Sequence, residues 1–301
     1  MTTVIAFIGL GHMGGPMAAN LAAAGHRVLG HDLVPAALAQ AATAGVEAAE
    51  SAPAAAAEAD VVITMLPAGR HVLALYRDEG LLAAAKPGTL FVDCSTIDVA
   101  DARAAHEAAA EAGHRALDAP VSGGVTGAEA ATLTFMAGGG EAEFALAEPL
   151  LSAMGKKAVH CGGPGAGQAA KICNNMILGI SMIAVSEAFV LGESLGLSHQ
   201  ALYDVASTAS GQCWALTANC PVPGPVPASP ANRAYRPGFA APLMAKDLGL
   251  AAGALRAGGI DAGLGLRAAE MYAAFAEGTG ADQDFSGIVN VLRGAAAAQN
   301  G

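Results

Sequence analysis

The sequence predicts an α/β domain over residues 1–163 and an all-α domain over residues 164–301, joined by a long helix. Three observations predict it. Short β-branched runs alternate with Ala-rich stretches in the first half, which argues for βαβ units and a parallel sheet. Those runs are apolar at successive positions rather than at every second one, as expected of strands covered by helices on both faces. After Cys161 no further strand signal occurs, and the pattern turns helical.

Taken in order, residues 4–8, 27–31, 61–65, 89–93 and 115–118 read as strands, short runs in which Val, Ile, Leu or Phe recur. Between them, residues 13–24, 35–44, 52–57, 71–76 and 99–112 read as helices, since Ala is the strongest helix former. Residues 132–137 and 158–161 give two more strands, separated by a helix over 141–153. A Gly/Pro segment, Gly162-Gly163-Pro164-Gly165-Ala166-Gly167, marks the domain boundary. Beyond it a long helix spans about 168–195, followed by helices over 201–206, 242–255, 264–276 and 286–291. Cys220 to Pro237 is Pro-rich and reads as an extended connector.

Composition excludes several functions. Lys plus Arg is 15 and Asp plus Glu is 26, so the net charge is −11. Such a surface repels a phosphate backbone, and no basic cluster interrupts it, so nucleic acid is not an expected partner. Five cysteines at scattered spacings, without a C-x-x-C, argue against a disulfide framework and a structural metal site, and suit a reducing cytoplasm. The uncharged N-terminus lacks a basic n-region and breaks early into glycines, so it is not read as a signal sequence. The other long uncharged stretch carries five prolines between Pro221 and Pro230, which no simple membrane helix tolerates. The expectation is a cytoplasmic protein without a membrane partner.

Gly9-Leu10-Gly11-His12-Met13-Gly14 is G-x-G-x-x-G, directly after a predicted strand and before a predicted helix. Gly9 permits the tight turn, Gly11 lets the backbone approach a pyrophosphate, and Gly14 lets helix and strand pack closely. The helix N-terminus offers free N–H groups and a positive dipole end to the phosphates. Asp32 ends the second strand 23 residues after Gly9, close to the ~20 expected of a carboxylate that binds the adenosine ribose hydroxyls. It would repel a 2′-phosphate, and Leu33 rather than Arg follows it, so the expected cofactor is NAD rather than NADP. Leu66-Pro67 and Thr96 sit at carboxyl ends of strands, where ligands bind in open parallel sheets.

Two further motifs carry candidate chemistry. In Asp118-Ala119-Pro120-Val121-Ser122-Gly123-Gly124, a serine beside two glycines exposes a hydroxyl and backbone N–H groups that can hold a carboxylate; a structural turn would look similar. In Gly165-Ala166-Gly167-Gln168-Ala169-Ala170-Lys171, Lys171 opens the long helix with Asn175 four residues on, hence on the same face. No Walker pattern is present, which removes a kinase-like phosphate binder. A lysine at such a helix margin can also be a snorkelling surface residue.

With these motifs in place, the sequence resembles the 3-hydroxyisobutyrate dehydrogenase branch of the β-hydroxyacid dehydrogenase family. The segments GLGHMGGPMAANL, DVVITMLPAG, VDCSTID, DAPVSGGVTGA, GAGQAAKICNN and FAAPLMAKDL occur in the family's order over nearly the whole chain. The resemblance implies a Rossmann-type domain, a long interdomain helix and an all-helical domain. It implies Lys171 as the catalytic lysine, Asn175 as a substrate-orienting residue, and Ser122, Gly123 and Gly124 as the substrate-carboxylate loop. It places Gly9, Gly11, His12, Met13, Gly14, Asp32, Leu66, Pro67, Thr96, Phe239 and Lys246 at the cofactor, with no metal. Two departures occur: His12 stands where the family usually has Asn, and Ala131 where many members have Gly.

The reaction so implied is NAD-dependent oxidation of 3-hydroxyisobutyrate to methylmalonate semialdehyde, in valine breakdown. Lys171 would act as general base in oxidation and general acid in reduction, provided that burial lowers an amine whose unperturbed pKa is about 10.4. L-serine or another β-hydroxyacid, and reduction of tartronate semialdehyde, are the neighbouring alternatives, because one apolar contact discriminates by only about 1–3 kcal/mol. A non-catalytic NAD-binding scaffold is the alternative of another class. A homo-oligomer, dimer or tetramer, is expected from the nearly all-round apolar character of residues 172–189.

Overall fold

The computed structural model describes residues 2–299. It divides into two compact units, Met1–Lys171 and Ile172–Gly301, so the division falls within the long helix, a few residues beyond the Gly/Pro segment.

Among the described residues the first unit holds nine strands: β1 (Val4–Ile8), β2 (Arg27–His31), β3 (Glu47–Ala48), β4 (Val61–Thr64), β5 (Leu90–Asp93), β6 (Arg115–Asp118), β7 (Val121–Ser122), β8 (Leu133–Gly139) and β9 (Gly155–Gly162). The sheet runs β3-β2-β1-β4-β5-β6-β8-β7, with β9 also paired to β8. The first six strands have the 3-2-1-4-5-6 order of dinucleotide-binding sheets, whose ligand crevice lies where the order reverses, at the carboxyl ends of β1 and β4. Helices α1 (Gly14–Ala23), α2 (Pro35–Ala42), α3 (Ala52–Glu58), α4 (Gly69–Arg77), α5 (Leu81–Ala84), α6 (Val99–Glu111), α7 (Gly124–Glu129) and α8 (Glu141–Met154) connect them.

The strand period of two assigns the core. Ile5, Phe7, Val61, Ile63, Leu90 and Val92 join Met17 and Leu21 of α1 and Leu150, Leu151 and Met154 of α8 in one cluster. Ala6, Ile8, Val62 and Phe91 join Val72, Leu75 and Tyr76 of α4 and Ala102, Ala105 and Ala109 of α6 in the other. Both faces are thereby covered, which is why the sequence shows continuous apolar runs.

The parallel sheet expected from the sequence needs one correction. β8 pairs antiparallel with both β6 and β7, because the ten residues between β7 and β8 contain only the short α7, too little chain for a parallel crossover. The crossover through α8 is long enough, and β8 and β9 are parallel.

In the second unit the chain continues along α9 (Ala166–Ser194) into α10 (His199–Ala206), α11 (Trp214–Thr217), α12 (Ala241–Ala257), α13 (Gly263–Glu277) and α14 (Ile288–Gln299), with 3-10 turns at Pro230–Arg233 and Phe285–Gly287. Met182, Ile183 and Phe189 of α9 pack with Met244 and Leu248 of α12, Tyr272 and Phe275 of α13, and Ile288 of α14. By length and composition α9 is apolar enough to cross a membrane, yet 44% of its most apolar window is buried inside the protein. Its hydrophobic residues thus supply a core.

Candidate active site

At the end of β1 the backbone turns through Gly9 at φ +94°. A side chain there would run into the Met65 carbonyl and Leu66 at the end of β4, and one at Gly14 would strike the Gly9 carbonyl and Phe7. Gly11, in contrast, faces open space, with no atom within 4 Å of where a Cβ would stand. Two glycines thus allow the turn to pack against the sheet, while the third leaves its outer side clear. Helix α1 starts at Gly14 with no side-chain cap and no acidic residue in its first turn, so its N-terminal dipole end is not neutralised locally.

Asp32 follows β2. Its Oδ2 accepts from Leu10 N at 2.6 Å and its Oδ1 accepts from Val34 N at 2.8 Å. One carboxylate therefore holds the glycine turn and the start of the next loop. Leu33 beside it is 92% exposed, and no cation occupies the neighbouring sequence positions. This arrangement fits a dinucleotide: a cleared backbone turn, an open helix N-terminus, and a fixed anion that would reject a 2′-phosphate. His12 is exposed and Met13 half-buried on the same turn.

The other strand ends of this unit are tied into one network. Leu66 N donates to Ser95 Oγ at 2.8 Å, and Ser95 Oγ donates to Asp93 Oδ1 at 2.6 Å. Thr64 Oγ1 donates to the same carboxylate oxygen at 2.7 Å. Burial pushes the Asp93 carboxyl up to about 6, with nearby Asp118 adding to it, against the lowering effect of hydrogen bonds from Ser95 and Thr64. Gln168, fully buried in the first turn of α9, donates Nε2 to Ser95 O at 2.7 Å and accepts from Ile97 N at 3.1 Å. Its two bonds bracket Thr96. Leu66 and Thr96 are half-buried and Pro67 exposed.

Lys171 is 6% exposed, and its Nζ donates to Ser122 Oγ at 3.1 Å. Ser122 closes β7, and Gly123 (φ +139°) and Gly124 (φ +63°) follow it into α7. Positive φ at both positions is what glycine tolerates, and it turns this segment at the serine. The sequence motifs around residues 118–124 and 165–171 thus meet in space through their two polar side chains.

In the second unit Asn175 is 2% exposed, and its Nδ2 donates to Asp247 Oδ2 at 2.6 Å. Lys246 Nζ lies 3.6 Å from Asp247 Oδ1. The carboxylate of Asp247, which sequence reasoning did not single out, therefore links the two predicted residues of this unit. Phe239 stacks edge-on against Phe285 with centroids 5.7 Å apart. Asp284 Oδ2 accepts from Gly238 N and Phe239 N, both at 2.9 Å, which fixes the backbone that presents Phe239. Gln168, Asp247 and Asp284 are all buried, and their sequence surroundings give no common signal of it, since Asp247 follows Lys246 and Asp284 stands among Asp282, Gln283 and Ser286. No group of three or more potential metal ligands occurs among the described residues.

Two family models match the sequence. The NAD binding domain of 6-phosphogluconate dehydrogenase covers residues 4–163, and the NAD-binding region of NADP-dependent 3-hydroxyisobutyrate dehydrogenase covers residues 165–292. A probable 3-hydroxyisobutyrate dehydrogenase of Mycobacterium tuberculosis is 58% identical over 291 residues, 97% of this chain and 98% of that protein. An NAD-dependent L-serine dehydrogenase of Pseudomonas aeruginosa is 49% identical over 283 residues, 94% of this chain and 95% of that protein. A solved structure of Mycobacterium tuberculosis 3-hydroxyisobutyrate dehydrogenase with L-serine superposes with a TM-score of 0.94 at 58% identity, covering 97% of this chain and all of that one.

Proposed function

Because this chain belongs to the 3-hydroxyisobutyrate dehydrogenase family of NAD-dependent oxidoreductases, we propose that it oxidises 3-hydroxyisobutyrate to methylmalonate semialdehyde with Lys171 as the acid–base residue. These relatives are named as dehydrogenases of small β-hydroxyacids, one of them as NAD-dependent; the particular acid and the lysine's role are the proposal. The observation that carries it is the buried Lys171 Nζ donating to Ser122 Oγ at 3.1 Å.

The residues that would hold NAD are the Gly9–Gly14 turn for the pyrophosphate, Asp32 for the adenosine ribose, and Leu66, Pro67, Thr96, Phe239 and Lys246 toward the nicotinamide. When bound, the cofactor supplies the hydride acceptor. The chain's own task is to orient the alcohol and manage its proton. Ser122 with the backbone of Gly123 and Gly124 would bind the substrate carboxylate, since a hydroxyl and consecutive N–H groups make a small anion site. As a neutral amine, Lys171 would accept the hydroxyl proton and become ammonium as hydride leaves carbon, and would return that proton in the reverse direction. Asn175, held by Asp247, would hydrogen-bond the substrate hydroxyl. A carboxylate fixed at Ser122 and a reacting hydroxyl at Lys171 select acids with the alcohol on the β carbon.

A second reading, L-serine as substrate, is favoured by the 49% identical L-serine dehydrogenase and by the similar structure described with L-serine. Initial rates with 3-hydroxyisobutyrate, L-serine, glycerate and 3-hydroxypropionate, each with NAD and NADP, decide between them. The highest kcat/KM is expected for 3-hydroxyisobutyrate with NAD. A serine value tenfold higher would move the assignment, and no NADH formation with any of the four would favour a binding scaffold. We further propose a cytoplasmic protein that forms a homo-oligomer, dimer or tetramer, its association supported by exposed Ile177 and Leu191 on α9 and Leu195 just after it; light scattering of the purified protein checks the oligomer.

A further inference from the structure

Asp118 ends β6 and is 1% exposed, so its charge is tolerable only if its lone pairs are used. They are. Oδ1 accepts from Gly165 N at 2.8 Å and pairs with His106 Nε2 at 3.0 Å, while Oδ2 accepts from Gln168 N at 3.0 Å. Gly165 directly precedes α9, and Gln168 lies in its first turn, so both oxygens cap the helix that carries Lys171. A carboxylate at unpaired N–H groups of a helix N-terminus makes charge-assisted bonds aligned with the helix dipole. The fit is tight: a Cβ at Gly138 would crowd Asp118 Oδ1 at 2.6 Å, and one at Gly167 would crowd its Oδ2 at 2.8 Å.

What distinguishes this cap is where its own strand leads. Four residues after Asp118 the chain reaches Ser122, and three residues after Gln168 it reaches Lys171. One buried carboxylate therefore joins the two backbone segments whose side chains meet at the 3.1 Å contact between Lys171 Nζ and Ser122 Oγ. On its other side the same helical turn is pinned by Gln168 to the loop around Thr96. A lysine on four rotatable bonds has wide reach, so its placement depends on where the helix start is held.

We propose that Asp118 is a positioning residue for the acid–base lysine: its carboxylate fixes the first turn of α9 to the end of β6 and so sets Lys171 against Ser122. This rests on the acid–base reading of Lys171. Asp118→Asn keeps the shape, but an amide offers one acceptor oxygen where two are used, and turns its N–H₂ toward an N–H donor. The helix start must then shift, and a misplacement of about 1 Å costs roughly 10²-fold in rate.

The test compares wild type, Asp118→Asn, Lys171→Ala and the double variant by steady-state kinetics at saturating NAD and hydroxyacid. NADH binding is followed by fluorescence, and a crystal structure of cofactor-free Asp118→Asn completes the set. Asp118→Asn is expected to lower kcat by roughly 10–10²-fold, with NADH affinity within threefold of wild type. In the Lys171→Ala background it should change the residual rate by less than twofold, since it acts through the lysine. The variant structure should show Lys171 Nζ beyond hydrogen-bond reach of Ser122. A kcat within twofold of wild type, or an equal loss with and without Lys171, overturns the proposal. Full turnover by Lys171→Ala would instead remove the acid–base reading itself. If Asp118→Asn does not fold, Asp118→Ser decides: its shorter side chain fits the same space and gives up the two-oxygen cap on Gly165 N and Gln168 N. A several-fold loss of kcat that vanishes without Lys171 supports the proposal, and an unchanged kcat overturns it.

Discussion

A lysine amino group 6% exposed, 3.1 Å from a serine hydroxyl, sits in a setting that solvent-facing lysines do not share. General acid–base residues contribute about 10²–10⁴-fold, so Lys171→Ala should lose that factor in kcat while NADH still quenches or enhances fluorescence with near-normal affinity. Retained turnover would return Lys171 to the role of a buried structural cation. Asp32 lies at the opposite end of the reading. Its two bonds to Leu10 N and Val34 N place it at the glycine turn, not at the lysine, so Asp32→Ala should weaken NAD binding by roughly tenfold or more, as for loss of a charged hydrogen bond. Its kcat at saturating NAD should stay within a few-fold, and its preference for NAD over NADP should narrow. A large loss of kcat at saturation would assign Asp32 another task. Asp32 was singled out from its spacing after a glycine turn and Lys171 from its place at the start of the long helix, the lysine's acid–base role coming only with the family resemblance. Asp118 and Asp247 were not singled out, because a buried carboxylate announces itself only once its donors are seen.

At the scale of elements, the connection from α7 to β8 carries backbone strain. Ala131 adopts φ +52°, a left-handed conformation that costs an L-residue about 1–2 kcal/mol. Glycine would relieve it but lose about 0.5–1 kcal/mol of unfolded-chain entropy. Ala131→Gly is therefore expected to stabilise by roughly 0.5–1 kcal/mol, a Tm rise of a few degrees at most, with unchanged kinetics; a lower Tm would show that the turn is not strained. The same region shows why some elements escape sequence reading. α7 is Gly-Val-Thr-Gly-Ala-Glu, a poor helix by propensity. Gly127 stands there because a side chain would press on Leu133 at 3.2 Å, a constraint set by packing. β3 and β7 have two residues each and no room for a period. The long elements were legible where a period could develop: β1, β2 and α6 match the sequence reading to within two residues at each end.

For the whole molecule, the two-part architecture was visible from where strand signals stop, whereas the sheet order was not, since right-handed crossovers fix the hand of each βαβ unit and not which strands lie side by side. What also could not be read is how one face of the sheet comes to hold buried acids. Asp93 and Asp118 are directly opposite on neighbouring parallel strands, and with Tyr76 and His106 they line a cavity of about 10 Å³. Asp93 Oδ2 has no hydrogen-bond partner there. The carboxyl, pushed up to about 6 by burial first, makes global stability depend on pH in an unusual direction. An unfolded aspartate ionises near 3.9, so between about pH 4 and 6 the folded state binds the extra proton. Stability from this group is then fully present below about pH 4, falls as pH rises toward 6, and is level above it. Each pKa unit is worth about 1.4 kcal/mol, so the loss is on the order of 2–3 kcal/mol. Asp93→Asn keeps an acceptor for Thr64 and Ser95 while removing the ionisation. Its unfolding free energy relative to wild type, measured in urea, should therefore rise by that amount between pH 4 and 7, cancelling the contributions of every other titrating group. A flat difference across this range would mean that Asp93 ionises normally, and that the two facing carboxylates are balanced by donors rather than by a retained proton.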